Sequence, residues 1–136
     1  MIRPTIPLAG VIGDPVSHSQ SPRLHGHWLK RYELKGHYVP LHITHTHLAD
    51  ALRIMPDMGF VGVNVTIPHK EYVLSLASNV TDRAALIGAA NTLTFMGDGR
   101  IQADNTDGQG FIANIRQALP GWTAAVGPAL VLGSGG

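Results

Sequence analysis

Apolar residues along this chain cluster in short runs and then recur at helical spacing, and that alternation repeats to the end. Leu8-Ala9-Gly10-Val11-Ile12-Gly13 reads as a short buried strand, followed by a polar turn from Asp14 to Ser21. Ser21-Pro22 marks a helix start, with serine as N-cap and proline at the first helical position. Leu24, Trp28, Leu29 and Tyr32 fit one helical face, which predicts a helix to about Leu34 that stops at Gly36. His37 to Ile43 is a second strand. Leu48, Ala51, Leu52 and Met55 predict a helix over 48–58, with Pro56 distorting its last turn. Phe60 to Thr66 is a third strand, Pro68 opens another helix, and Thr81-Asp82-Arg83-Ala84 begins a short one. Residues 91–95 and 100–103 read as a hairpin around Gly97-Asp98-Gly99, and 108–119 as a helix. Ala129 to Leu132 is a last strand running into Gly133-Ser134-Gly135-Gly136.

This succession predicts an α/β fold, a mostly parallel sheet with helices on its faces. Pro120-Gly121 and Gly127-Pro128 flank a segment that reads as a linker. The expected division is therefore one domain over residues 1–120, and a linker with the start of a second unit over 121–136.

Composition narrows the classes. An apolar fraction of 44% with 14% charged residues describes a globular chain rather than a disordered one. A net charge of +1 without a basic run argues against nucleic acid as the main partner. The absence of cysteine excludes disulfides and thiolate metal sites. No apolar run is long enough to span a bilayer, and the first residues lack the apolar stretch of a signal peptide, so a cytoplasmic protein is expected. His42, His45 and His47 lie close together, but no carboxylate or cysteine completes a metal pattern. They read as solvated surface residues, as do His25 and His27, and no metal is expected.

The polar clusters carry the candidate chemistry. Asn64-Val65-Thr66-Ile67-Pro68-His69-Lys70 ends the third strand, and strand ends are where α/β proteins hold ligands. An amine there can act as general acid or base. Ser19 and Ser21 stand before a helix N-terminus, where hydroxyls, amides and the helix dipole suit a carboxylate; equally, Ser21 can be only a cap and Ser19 only a turn residue. Asn91-Thr92 opens a strand. Asp107 can cap the helix after it or pair with a lysine across the sheet mouth. Gly133-Ser134-Gly135-Gly136 after an apolar strand is how a dinucleotide-binding unit begins, or a plain tail.

Together these segments resemble the shikimate dehydrogenases. The resemblance rests on His-Ser-Gln-Ser-Pro at 18–22, Asn-Val-Thr-Ile-Pro-His-Lys at 64–70, Gly-Ala-Ala-Asn-Thr at 88–92, Asp-Asn-Thr-Asp-Gly at 104–108 and Gly-Ser-Gly-Gly at 133–136. It implies a three-layer substrate-binding domain followed by the first strand of a Rossmann domain, and NADPH-dependent reduction of 3-dehydroshikimate to shikimate. By the same resemblance Ser19 and Ser21 hold the substrate carboxylate. Thr66, Asn91 and Asp107 bind ring hydroxyls, with Asn64 in support. Lys70 is the catalytic lysine with Asp107 as its partner. Asp82 and the glycine run 133–136 approach NADP. The implied partner is a small acid, and a homodimer is compatible. Most of a cofactor domain is not in this sequence, so the expected object is a fragment inactive by itself. A quinate/shikimate dehydrogenase and a non-catalytic shikimate-binding module remain alternatives.

Overall fold

The computed structural model describes residues 6–133. Six strands form one sheet: β1 (Leu8–Gly13), β2 (His37–His42), β3 (Phe60–Val65), β4 (Asn79–Val80), β5 (Thr92–Phe95) and β6 (Ile101–Asp104), in the order β2-β1-β3-β5-β6-β4. β2, β1 and β3 pair in parallel, as do β6 and β4; β5 alone runs against its neighbours β3 and β6. The helices are α1 (Ser21–Arg31), α2 (Leu48–Ile54), α3 (Val73–Leu76), α4 (Asp82–Ile87) and α5 (Asp107–Ala118). The expected mixed α/β architecture with a mostly parallel sheet is therefore present.

Side chains alternate across a strand, so each strand serves two faces. On one face Ile12, Val63, Val65, Leu93 and Ala103 pack with Leu48 and Leu52 of α2, Val73 of α3 and Ala84 of α4 in a sealed core. On the other lie Ala9, Val11, Tyr38, Asn64 and Thr92, in register across β1, β2, β3 and β5. His25 of α1 stacks on Tyr38 there, so helices cover both faces. Gly62 is required by the closeness of β3 and β5: a β-carbon there would sit 2.6 Å from the Leu93 carbonyl oxygen.

Several sequence expectations need correction. Ser21 does not cap α1; Gln20 is the N-cap residue, with no side-chain cap bond, although proline does sit in the first turn. That helix stops before Gly36, because Glu33 takes the left-handed conformation (φ 53°) and the Leu34 N–H bonds the Leu29 carbonyl at 2.9 Å. α2 ends at Ile54, since Pro56 offers no N–H to continue it; Met55 itself keeps right-handed helical angles, and the chain goes on in turns, with the Met58 N–H on the Ile54 carbonyl at 3.3 Å. No helix opens at Pro68. The chain turns instead, with the His69 N–H on the Thr66 carbonyl, and the buried His69 ring bonds the Ile43 carbonyl at 2.7 Å. Residues 129–132 form no strand. Leu130, Val131 and Leu132 are exposed, and no described segment pairs with them; a strand exists only through a partner. The two-residue β4 carries too short a pattern to be foreseen.

Candidate active site

The parallel strands set the site by ending at the same rim. The chain leaves β1 toward Ser19 and Ser21, leaves β3 toward Thr66 and Lys70, and leaves β6 toward Asp107. The reversed β5 begins at that rim, which brings Asn91 beside them; the Val65 N–H bonds the Asn91 carbonyl at 2.8 Å. The result is a cleft of about 270 Å³ lined by all six of these side chains, with Asn64 and His25 also in its wall. Every residue expected to touch substrate or perform chemistry thus lies in one place.

The polar groups are held in a defined order. Lys70 Nζ donates to Asp107 Oδ2 at 2.5 Å, with the lysine side chain 18% exposed and the aspartate 53%. The pairing alternative for Asp107 is the one realised; Thr106, not Asp107, occupies the N-cap position of α5. Asn91 Nδ2 donates to Asp107 Oδ1 at 2.8 Å, while Asn91 Oδ1 accepts from the Thr106 N–H at 3.0 Å and the Thr92 hydroxyl at 2.9 Å. Buried Asn105 ties the loop from beneath: its amide donates to the Ala89 carbonyl at 2.9 Å, and its oxygen accepts the Asp107 N–H at 2.9 Å. Ser19 Oγ accepts the Ser21 N–H at 3.3 Å, and the Ser21 hydroxyl, not engaged in capping, lines the cleft.

Outside the cleft, Arg83 donates through Nε to Asp104 Oδ1 at 2.6 Å and through a second nitrogen to the other carboxylate oxygen. These bonds, against the opposing effect of burial and helped by Thr81 and the Asn105 N–H, hold the Asp104 carboxyl far below the usual carboxylate range. Arg83 also reaches Gln109 of α5 at 2.6 Å, so the loop carrying Asp107 is braced from both sides.

Asp82 does not join the site; it is an exposed residue at the start of α4. Gly133 is exposed with φ 124°, a conformation that favours glycine, while Ser134, Gly135 and Gly136 lie outside the described residues. His25 is a correction: it is half-buried, stacks on Tyr38 with ring centroids 4.1 Å apart, and lines the cleft. Burial lowers its pKa, which favours the neutral ring. His42 is exposed but not merely solvated, because its Nε2 lies 2.6 Å from Asp14 Oδ1. A wider depression of about 700 Å³ adjoins the cleft across His25 and Asn64, with a largely apolar lining that includes Pro7, Ala9 and Pro56. The smaller cleft holds the ammonium, the carboxylate and the hydroxyls, and it is therefore the candidate site.

Chemically, the cleft places serine hydroxyls at the N-terminus of α1, suited to a carboxylate, opposite an ammonium–carboxylate pair able to hold and pass a proton. The family described as shikimate dehydrogenase substrate binding domain matches residues 11–93, a segment that includes Ser19, Ser21, Thr66, Lys70 and Asn91. A shikimate dehydrogenase (NADP(+)) of Jannaschia sp. (strain CCS1) is 76% identical over 136 residues, which is 100% of this chain and 49% of that relative. The one from Paracoccus denitrificans (strain Pd 1222) is 71% identical over 130 residues, 96% of this chain and 46% of its own length. Among solved structures, shikimate 5-dehydrogenase from Thermus thermophilus, crystallised in complex with shikimate, superposes with a TM-score of 0.85 at 36% identity, covering 96% of this chain and 48% of that one. The chain spans about half the length of the curated relatives it matches.

Proposed function

This chain belongs to the shikimate dehydrogenase substrate-binding domain family, and from that membership we propose that it forms the substrate half of an enzyme that reduces 3-dehydroshikimate to shikimate with NADPH. The observation that carries the reading is the Lys70–Asp107 pair, 2.5 Å apart in the same cleft as Ser19 and Ser21. Ser19 and Ser21 take the substrate carboxylate. Thr66, Asn91 and Asp107 take ring hydroxyls. The Lys70 ammonium stands beside the carbonyl oxygen, stabilises the charge that grows there and donates the proton; in the reverse direction the amine accepts it. Asp107 orients that ammonium.

NADPH supplies the hydride when bound. The positions that the family resemblance assigns to that cofactor are Asp82, exposed at the start of α4, and the glycine run from Gly133, which takes a positive φ. The contribution of the cleft residues is substrate binding and proton handling. The reading divides the chain near residue 120, in keeping with the exposed, non-regular backbone beyond residue 126. A cytoplasmic setting goes with it, supported by the absence of any membrane-length apolar helix among the described residues. A homodimer is compatible with it.

Thermal unfolding with added shikimate tests the reading. At about 100 times its dissociation constant the ligand should stabilise the fold by roughly 2.7 kcal/mol. No shift at millimolar shikimate overturns the assignment. The 136-residue chain should meanwhile show negligible turnover with NADPH, and an ordinary enzymic rate would refute its reading as a half-site.

A further inference from the structure

The hydrogen bonds behind the cleft continue past the residues that line it. Tyr38 of β2 is in register with Ala9 of the intervening β1 and with Gly62 of β3. Those small residues leave room over the sheet, and the tyrosine hydroxyl donates across β1 to Asn64 Oδ1 at 2.8 Å. An asparagine amide can sit either way round; the Asn91 carbonyl, which can only accept, draws Asn64 Nδ2 to one side, and the Tyr38 hydroxyl takes the oxygen on the other. Asn64 Nδ2 thus faces the Asn91 carbonyl and the Thr92 hydroxyl, each at 3.2 Å, with Oδ1 left to Tyr38. Thr92 then donates to Asn91 Oδ1, leaving Asn91 Nδ2 for Asp107, which holds Lys70. The Thr106 N–H also donates to Asn91 Oδ1 at 3.0 Å, so the series is anchored by backbone groups of Asn91 and Thr106 and runs outward to Tyr38.

We propose that Tyr38, held flat by the stacked ring of His25, is a positioning residue that completes the hydrogen bonding of Asn64 and so steadies, through Thr92 and Asn91, the geometry of the Lys70–Asp107 pair. Burial supports the role by pushing the Tyr38 hydroxyl up to about 12, against a weaker opposing hydrogen bond from Ser21, so that it remains a donor across the working pH range. The imidazole lies 4.1 Å from the phenol ring at an interplanar angle of 2°, and its edge meets Trp28 of the same helix. α1 therefore contributes to the site twice, through Ser21 at its start and through His25 one turn later. The proposal deepens the shikimate reading and rests on it for the affinity measurement alone.

The experiment uses the 136-residue chain and two readouts. Tyr38→Phe keeps the ring and its stack and removes only the hydroxyl. By nuclear magnetic resonance, the side-chain amide signals of both Asn64 and Asn91 should shift or broaden in this variant, while the backbone signals of the α2–β3 core stay in place. Unchanged amide signals overturn the proposal, whether or not shikimate binds. In calorimetry with shikimate, Tyr38→Phe should weaken binding about fivefold, the size expected for one hydrogen bond. In an Asn64→Ala background the same change should have less than about a twofold effect, because the route is already cut. Independent, multiplicative effects would place Tyr38 outside the route and overturn it. If the unaltered chain binds no shikimate, the functional reading fails while the amide signals still decide this inference. His25→Leu, which removes the stack and leaves the hydroxyl, should broaden the same signals more weakly; sharp, unshifted signals would remove His25 from the proposal.

Discussion

Val63 and Asn64 are neighbours in β3, yet they belong to two different environments. Val63 is 3% exposed and faces a core that α2, α3 and α4 close. Asn64 faces the side where a tyrosine, two asparagines, a threonine and an aspartate are joined by hydrogen bonds behind an open cleft. The sealed face is held by area removed from water, which is indifferent to direction. The polar face is held by donors and acceptors that must each find one partner. The first can give stability without exact geometry. The second fixes geometry and adds little net stability, which is what a site requires.

Substitutions can separate the two faces. The largest stability effect belongs to the core: Leu52→Ala, at a residue 1% exposed, should cost about 2–5 kcal/mol in denaturant unfolding. A loss below 1 kcal/mol would show that the core is not the main support. Asn105→Ala crosses the divide, since it removes both the bond to Ala89 and the one that holds the Asp107 N–H. It should cost about 1–3 kcal/mol and also weaken shikimate binding, whereas Leu52→Ala should spare binding in the folded fraction. Thr81→Ala and Ser21→Ala form the next contrast. Thr81 caps α4 by accepting the Ala84 N–H and donates to Asp104, so its loss should cost about 1 kcal/mol. Ser21 makes no cap bond; its loss should leave stability within about 0.5 kcal/mol and show in ligand affinity. A large melting shift for Ser21→Ala would put the serine back in a structural role.

The smallest effect is in acid. The folded-state pKa of Asp104 lies below its unfolded value of about 3.9. A depressed pKa contributes stability that is present above the unfolded value and is lost as pH falls through the folded one. Replacing its first cause, in Arg83→Gln, should therefore reduce the stability advantage at neutral pH and flatten its loss below about pH 4. Identical acid unfolding curves for the two proteins would assign the effect elsewhere.

Much of this arrangement was legible in the sequence, for identifiable reasons. The hairpin announced itself by Gly97-Asp98-Gly99, and the observed strands fall within one residue of the expected ends. Asn64 to Lys70 drew notice by its place at a strand end, but the grouping of Ser19, Ser21, Asn91 and Asp107 with it came from the family resemblance, since each alone reads equally as a cap or a turn residue. What escaped was set by contacts between elements. Periodicity along α1 marks an apolar face but not which ring lies under it, so His25 read as a surface residue. Nothing local shows that the His69 ring is buried, and that burial accompanies the turn which replaces a helix at Pro68. An apolar run such as 129–132 promises a strand, but only a neighbouring strand can realise the promise.

The reversed strand β5 has a practical consequence. Starting from the cleft at Asn91, it carries the chain to a tip at Gly97–Gly99 that lies roughly 13 Å or more along the strand direction. Asp98 is exposed there, and the sequence contains no cysteine at all. An Asp98→Cys substitution thus supplies a single thiol, in a place remote from every group that would meet a ligand. A fluorophore or a surface linker attached at that point can report on, or immobilise, the protein while the cleft at the opposite rim stays free.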